Sequence, residues 1–186
     1  DKQPAAAITD TNNMFGALEF AQTLSQAGIQ PIMGAQINLR DTQGLGEVAL
    51  LAKNEIGYTN LTNLLSETLL EAETSIDPAC VLDDLAARSD GLLLLTGGAI
   101  SGFVGGPAGD GRPGLALSRA RDLADIMGDR IYVELQRHGL VVEKTAEPCL
   151  LDIADRLQLP LVATNDCRFE NAEMSQPHDT LVCIGT

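Results

Sequence analysis

The stretch GLLLLT, residues 91–96, places four leucines in a row between a glycine and a polar threonine. An unbroken apolar run of this length is typical of a strand that is covered on both faces, as in a parallel sheet flanked by helices. Other short strand-like runs lie before and after it. We predict strands over residues 5–9, 31–39, 47–53, 91–96, 130–136 and 159–164.

Helical patterns separate most of these runs. The apolar periodicity predicts helices over residues 15–27, 58–70, 79–87, 115–127 and 145–157, with Gly28 and Gly128 as the expected ends of two of them. The glycine-rich residues 97–114 are predicted to form a flexible loop. Alternation of strands and helices at this pace predicts an α/β fold with a parallel sheet or barrel.

Composition limits the classes of function. The 186 residues, 45% of them hydrophobic, suffice for one domain with a sizeable core. Twelve Lys and Arg against 26 Asp and Glu give a net charge of -14 with no basic run, which predicts no direct binding of nucleic acid. No run approaches the ~20 apolar residues of a membrane span, and no signal peptide is recognisable. The four widely spaced cysteines are interpreted as reduced thiols of a cytoplasmic protein rather than as disulfides or a zinc site.

Polar residues cluster where the predicted strands end. Asp10 follows the first strand, Gln36 lies near the end of the second, Glu134 lies near the end of RIYVELQ, and Asn165 and Asp166 follow LPLVAT. In α/β barrels the loops at the carboxyl ends of the strands converge on one mouth, where functional sites are built. Each residue alone is more often a helix cap or a turn residue. Together these positions favour a site.

Several longer stretches carry a family resemblance. The chain contains ITDTNNMFGALEF (8–20), GIQPIMGAQINL (28–39), LLAKNEIGYTNLTNLLSE (50–67), ELQRHG (134–139) and LPLVATNDCRFENAEMSQPHDTLVCIGT (159–186). In this order they resemble the PHP (polymerase and histidinol phosphatase) domain of the bacterial DNA polymerase III alpha subunit. The resemblance implies a distorted (β/α)7 TIM-like barrel at the amino end of a DNA-directed DNA polymerase, a nucleotidyltransferase.

The same resemblance predicts that residues 1–186 are an amino-terminally truncated PHP domain. The first strand of the family, which carries an H-x-H motif, would precede Asp1. The palm, fingers and thumb of the polymerase lie outside the chain. We therefore expect a barrel that lacks its first strand, and a fragment that is not itself catalytic.

Metal-competent members of the family bind several divalent ions through His, Asp, Glu and Cys ligands, and four of the matching positions differ here. Thr11 stands where T-D-H has histidine, and Gln36 where G-x-E has glutamate. Gly98 replaces the cysteine of S-G-C, and Arg168 the histidine of N-D-x-H. Arginine offers no lone pair to a metal, and a cluster of ions needs more ligands than remain.

The ligand types that survive at matching positions are Asp10, Glu134, His138 and Asp166. The resemblance therefore implies a vestigial metal pocket with no catalytic residue, no bound metal and no cofactor. We expect His138 to have a structural role and Cys167 to face into packing, away from the site. Arg168 is expected to fill the vacated space and to pair with Asp10 or Asp166.

Two functions of different classes follow from these expectations. The first is a structural and protein-docking module that contacts the rest of the alpha subunit and the proofreading exonuclease subunit, as the resemblance implies for members with degenerate sites. The alternative is an active metal-dependent phosphoesterase, either a 3′–5′ exonuclease or a pyrophosphatase. The four substitutions favour the first.

Overall fold

Seven strands form one sheet in the computed structural model, which describes residues 3–71, 78–167 and 171–185. The strands are β1 (Ala5–Ile8), β2 (Gln30–Asp41), β3 (Gly44–Ala52), β4 (Cys80–Val81), β5 (Leu92–Leu95), β6 (Ile131–Leu135) and β7 (Leu161–Ala163). The helices are α1 (Ala17–Gln26), α2 (Glu55–Glu71), α3 (Leu82–Ala87), α4 (Gly105–Gly109), α5 (Pro113–Met127), α6 (Val141–Leu157) and α7 (Ser175–Gly185), with a 3-10 turn over Ala172–Met174. None of the helices within the described ranges combines the length and the apolarity needed to cross a membrane.

The strands run in the order β1-β2-β3-β5-β6-β7, and β4 adds to β2. Every neighbouring pair is parallel except the two pairs that include β3, which runs antiparallel to both β2 and β5. The prediction of a parallel sheet is therefore wrong for β3. Only Thr42 and Gln43 separate β2 from β3, and two residues can close a hairpin but cannot make the crossover that a parallel pair needs.

The leucine run of β5 shows how the sheet divides core from cleft. Leu92 and Leu94 are fully buried and belong to the same core as Leu61 of α2 and Leu123 of α5. Leu95 is only partly buried and faces a cleft on the other side of the sheet. The expectation that this strand is covered on both faces therefore holds for one face only.

Glycines end two helices as the sequence predicts. Gly28 follows α1 with φ +73, and Gly128 follows α5 with φ +63. Both values lie in the left-handed region that a residue with a side chain rarely adopts. The predicted boundaries of these helices agree with the observed ones to within two residues.

The glycine-rich segment is not the flexible loop that its composition predicts. It contains α4, and Phe103 and Val104 are fully buried in the core. Gly102 lies directly against the backbone of Gly97, because a Cβ added to Gly102 would come within 2.3 Å of the Gly97 carbonyl carbon. The glycines here allow one backbone segment to pack on another.

A buried arginine fixes this segment to the end of the β2–β3 hairpin. Arg119 of α5 is 3% exposed and donates from Nε and Nη2 to the two carboxylate oxygens of Asp41, at 2.8 Å each. Its Nη1 also donates to the carbonyl of Phe103 at 3.1 Å, and the guanidinium lies 4.2 Å from the centre of the Phe103 ring. One side chain thus joins α5, the hairpin and the glycine-rich segment.

Candidate functional site

A cleft of about 840 Å³ opens at the carboxyl ends of β1, β5, β6 and β7, with residues of β2 and β3 in its wall. Because β1 and the loop that follows β7 both contribute to it from opposite ends of the strand order, the sheet is curled. Six of the eight residues predicted for the vestigial pocket line this cleft: Asp10, Thr11, Gln36, Gly98, Glu134 and Asp166. The topology therefore brings together side chains that are far apart in the sequence.

The loop after β1 is held over β2 by backbone hydrogen bonds. The Gln36 N–H donates to the Asp10 carbonyl at 3.1 Å, and the Asn12 N–H donates to the Gln36 carbonyl at 2.8 Å. Asn12 has φ +55, a left-handed turn that asparagine tolerates better than most residues. This turn explains why polar residues follow the first strand, and it places Asp10 and Thr11 at the mouth of the cleft.

The buried carboxylate of Glu134 is surrounded by hydrogen-bond donors. Its Oε2 accepts from the Gly97 N–H at 3.2 Å, and its Oε1 accepts from the Gln136 amide at 3.0 Å and from the Thr164 hydroxyl. The side chain is 6% exposed. A buried carboxylate needs such donors to replace its lost hydration, and here the protein itself provides all three.

Gln136 is a site residue that the sequence analysis missed. A Cβ added to Gly98 would lie 2.3 Å from the Gln136 Oε1, so the Gln136 side chain occupies the space that any side chain at position 98 would need. The sequence does contain a signal for this role of Gln136. It lies two residues after Glu134, and alternate residues of a strand point to the same face.

Glu47 is a second residue that the sequence analysis missed. Its Oε2 accepts from the Gln36 side-chain amide at 2.6 Å and from the Ser101 hydroxyl. Glu47 reaches the cleft because β3 folds back on β2 as a hairpin, and the prediction did not include that hairpin. The neutral amide at position 36 therefore binds a carboxylate of the neighbouring strand.

His138 is not among the residues that line the cleft, which corrects its assignment to the vestigial pocket. Its Nδ1 lies 2.7 Å from the Oε1 of the buried Glu143, and the Glu143 Oε2 accepts from the Leu140 N–H at 3.0 Å. Glu143 thereby caps the start of α6. His138 thus takes part in a hydrogen bond that joins the loop after β6 to the start of α6.

The contact between His138 and Glu143 predicts how the stability of the fold depends on pH. Burial raises the pKa of the Glu143 carboxyl, but hydrogen bonds from the backbone and ring of His138 and from Leu140 outweigh it, so this pKa lies below its ordinary value of 4.5. A lowered pKa stabilises the fold above pH 4.5, and this stabilisation is lost as pH falls through the pKa of the folded state. Urea unfolding of His138→Ala should therefore show a lower midpoint than the unsubstituted protein near neutral pH, with a difference that shrinks in acid. A difference that stays the same down to about pH 3 would contradict this role.

Two further expectations concern the loop after β7. Cys167 is exposed and lines the cleft, so the prediction that it faces into packing is wrong. That prediction assumed an extended segment, whereas the Cys167 N–H donates to the Asn165 carbonyl at 2.9 Å in a tight turn. Arg168 lies outside the described residues, and its pairing with Asp10 or Asp166 stays a prediction.

The cleft contains side chains of the types that bind metal ions. The carboxylates of Asp10, Glu47, Glu134 and Asp166 line it. Within residues 3–71, 78–167 and 171–185, no three His, Cys, Asp or Glu side chains come together as a metal-binding group. None of the four cysteines, all of which lie within the described residues, forms a disulfide.

Comparisons with known proteins agree with the resemblance. The family model described as PHP domain matches residues 1–138. The chain is 39% identical to the DNA polymerase III subunit alpha of Caulobacter vibrioides, 38% to that of Rickettsia bellii and 37% to that of Pseudomonas aeruginosa. Each alignment covers 98% of this chain but only 16–17% of the relative, so the chain spans about one sixth of the length of these relatives.

A solved structure supports the fold. A protein of Bifidobacterium adolescentis, named as a "putative metal-dependent phosphoesterase", superposes with a TM-score of 0.54 over 98% of this chain and 88% of its own. The sequence identity is 13%. The two chains share an α/β fold with a curled sheet, and at this identity the likeness extends to the fold alone.

Proposed function

Since the chain belongs to the PHP domain family, we propose that it is the PHP domain of a replicative DNA polymerase III alpha subunit in which the metal chemistry has been lost. It acts in the cytoplasm as a structural and protein-docking module in DNA replication. Its partners are the rest of the alpha subunit and the proofreading exonuclease subunit. The names of the relatives, all DNA polymerase III subunit alpha, support the replicative context.

The observation that carries this proposal is the set of donors around Glu134. The Gly97 N–H, the Gln136 amide and the Thr164 hydroxyl all direct hydrogens at this carboxylate. A divalent ion binds through oxygen lone pairs and is repelled by the positive ends of such dipoles. An ion that binds the Oε1 of this carboxylate, the most buried of the cleft, would have to compete with the Gln136 and Thr164 donors.

The contact between Gln36 and Glu47 supports the same conclusion. The Gln36 amide donates to the Glu47 Oε2 at 2.6 Å, and the Ser101 hydroxyl donates to the same oxygen. One oxygen of a second cleft carboxylate therefore also accepts hydrogen bonds from protein groups. This arrangement stabilises a pocket rich in carboxylates without a cation.

In this proposal the sheet is an incomplete distorted (β/α)7 barrel. At the two ends of the strand order, β1 pairs with β2 and β7 pairs with β6. Both edges contribute residues to one cleft. The first strand of the family would lie between them and close the barrel.

The docking role predicts selective binding of protein over nucleic acid. The net charge of -14 repels a polyanion. In an equilibrium binding assay at low salt, the chain should bind the proofreading exonuclease subunit, and single-stranded and duplex DNA should not bind. DNA binding that weakens steeply with added salt would contradict the first part, and no binding of the exonuclease subunit would contradict the docking role.

A further inference from the structure

Large apolar side chains are exposed on the loops and helix starts at the carboxyl ends of the strands. Phe15 follows β1 and is 89% exposed, Ile100 follows β5 and is 71% exposed, and Val141 follows β6 and is 79% exposed. Single exposed apolar residues are common on any protein. Here several lie around one opening, and we name Phe15, Ile100, Leu140 and Val141 the mouth surface.

Contacts in the fold show that this surface borders the cleft. Ile100 is itself a lining residue. A Cβ added to Gly109 would meet both Val142, at 2.5 Å, and the Ala99 carbonyl, at 2.6 Å, so the loop that carries Ile100 lies against the start of α6. On the other side, a Cβ on Gly16 would lie 3.5 Å from the Asp10 carboxylate, which places Phe15 next to the cleft.

The charge of the cleft selects what can dock there. Asp10, Glu47 and Glu134 line it, and no Lys or Arg does so among the residues that the structure describes. Asp10 is exposed, and within the described part of the chain its carboxylate accepts no hydrogen bond and forms no ion pair. The nearby cation Arg137 is bound to Glu147, at 2.6 and 3.0 Å. The mouth is therefore apolar at its rim and anionic inside.

From this combination we infer that the mouth surface docks a segment of a partner protein in which apolar side chains adjoin a lysine or arginine. The apolar groups cover Ile100 and Val141, and the cationic group enters the cleft toward Asp10, which requires that the predicted pairing of Arg168 be with Asp166 and not with Asp10. A second copy of the chain would bring another acidic mouth, and nucleic acid would bring further negative charge, so neither complements this surface. The inference rests on the docking role proposed above and gives that role a location.

The test uses a synthetic peptide as the probe, acetyl-Gly-Leu-Phe-Lys-Arg-Leu-Gly-amide, and a matched peptide with two glutamates in place of Lys-Arg. Each is titrated to about 1 mM into the isotopically labelled protein while amide chemical shifts are recorded. We expect saturable shifts at Ile100 and Val141 with the Lys-Arg peptide only. The double substitution Ile100→Ser and Val141→Ser should weaken binding at least about tenfold, and Asp10→Asn should weaken it and reduce its salt dependence.

Ile56→Ser is the matched control, because Ile56 is 59% exposed on α2 and is not a cleft residue. It should leave the affinity unchanged. The inference is overturned by an absence of shifts at the mouth surface, by equal shifts with the glutamate peptide, or by self-association through these residues. Binding of the exonuclease subunit that persists unchanged in the double variant would also overturn the location, while leaving the proposed docking role in place.

Discussion

Replacement of Arg119 by alanine is expected to lower the free energy of unfolding by about 3–5 kcal/mol. The guanidinium is 3% exposed and donates to both carboxylate oxygens of Asp41 and to the Phe103 carbonyl. Its loss leaves a carboxylate that is 15% exposed without its cation and removes the group stacked on the Phe103 ring. Breaking a buried pair from one side is far more destabilising than losing a surface pair.

Urea denaturation of the unsubstituted protein and of Arg119→Ala measures this difference in the free energy of unfolding. Arg88→Ala is the matched control, because Arg88 forms its ion pair with Glu67 at the surface, where the side chains are 30% and 47% exposed. It should lose only about 0–1 kcal/mol. If Arg119→Ala loses no more than this control, the buried pair does not hold the hairpin to the glycine-rich segment.

The ion pair between Arg119 and Asp41 also predicts that the free energy of unfolding depends on pH in the acid range. Hydrogen bonds from Arg119 hold the pKa of the Asp41 carboxyl below its ordinary value of 3.8, against the opposing effect of burial. A lowered pKa stabilises the fold above pH 3.8, and this stabilisation is lost as pH falls through the pKa of the folded state. The difference in the free energy of unfolding between the unsubstituted protein and Arg119→Ala should therefore become smaller in strong acid.

Replacement of Gly102 by alanine is the second change with a large expected effect. The added methyl group would lie 2.3 Å from the Gly97 carbonyl carbon and 2.4 Å from the Gly98 carbonyl oxygen, and these are backbone atoms that cannot rotate away. Overpacking of this kind costs about 1–3 kcal/mol, and more where the backbone is fixed. Because Gly97 donates to Glu134, the strain should also disturb the cleft.

Gly114→Ala is the control for this substitution, since nothing lies within 4 Å of its Cβ position in α5. Alanine there should be neutral or should raise stability by roughly 0.5–1 kcal/mol. Thermal unfolding of both variants compares the two positions. If the two variants are equally stable, the backbone around Gly102 accommodates a methyl group at little cost. The glycine-rich segment would then not be tightly packed.

The sequence predicts the elements better than their pairing. Apolar runs and helical periodicity locate the strands and helices because burial of one face sets both patterns. The direction of β3 depends instead on the two-residue connection Thr42–Gln43, which a survey of apolar runs does not take into account. The packing of residues 97–114 was missed for a related reason, since glycine permits both a flexible loop and a close backbone contact.

The candidate site was predictable where strand ends converge and not where contacts depend on the hairpin. Asp10, Glu134 and Asp166 follow from the rule that strand ends in parallel sheets meet at one edge. Glu47 enters the cleft only because β3 reverses direction. Cys167 turns into the cleft because its segment is a turn and not a strand. The pattern of the sequence thus identifies which edge of the sheet carries the site. The side chains that meet at that edge depend on the tertiary structure.

Metal content after equilibrium dialysis against Zn²⁺ or Mn²⁺, measured by elemental analysis, tests most directly whether the metal chemistry of the site has been lost. The hydrogen-bonded state of Glu134 and Glu47 predicts that neither ion binds in stoichiometric amount, and that the Asp10→Asn and Asp166→Asn variants give the same result as the unsubstituted protein. One or more ions per chain, lost in either variant, would contradict the proposal and would favour a metal-dependent phosphoesterase.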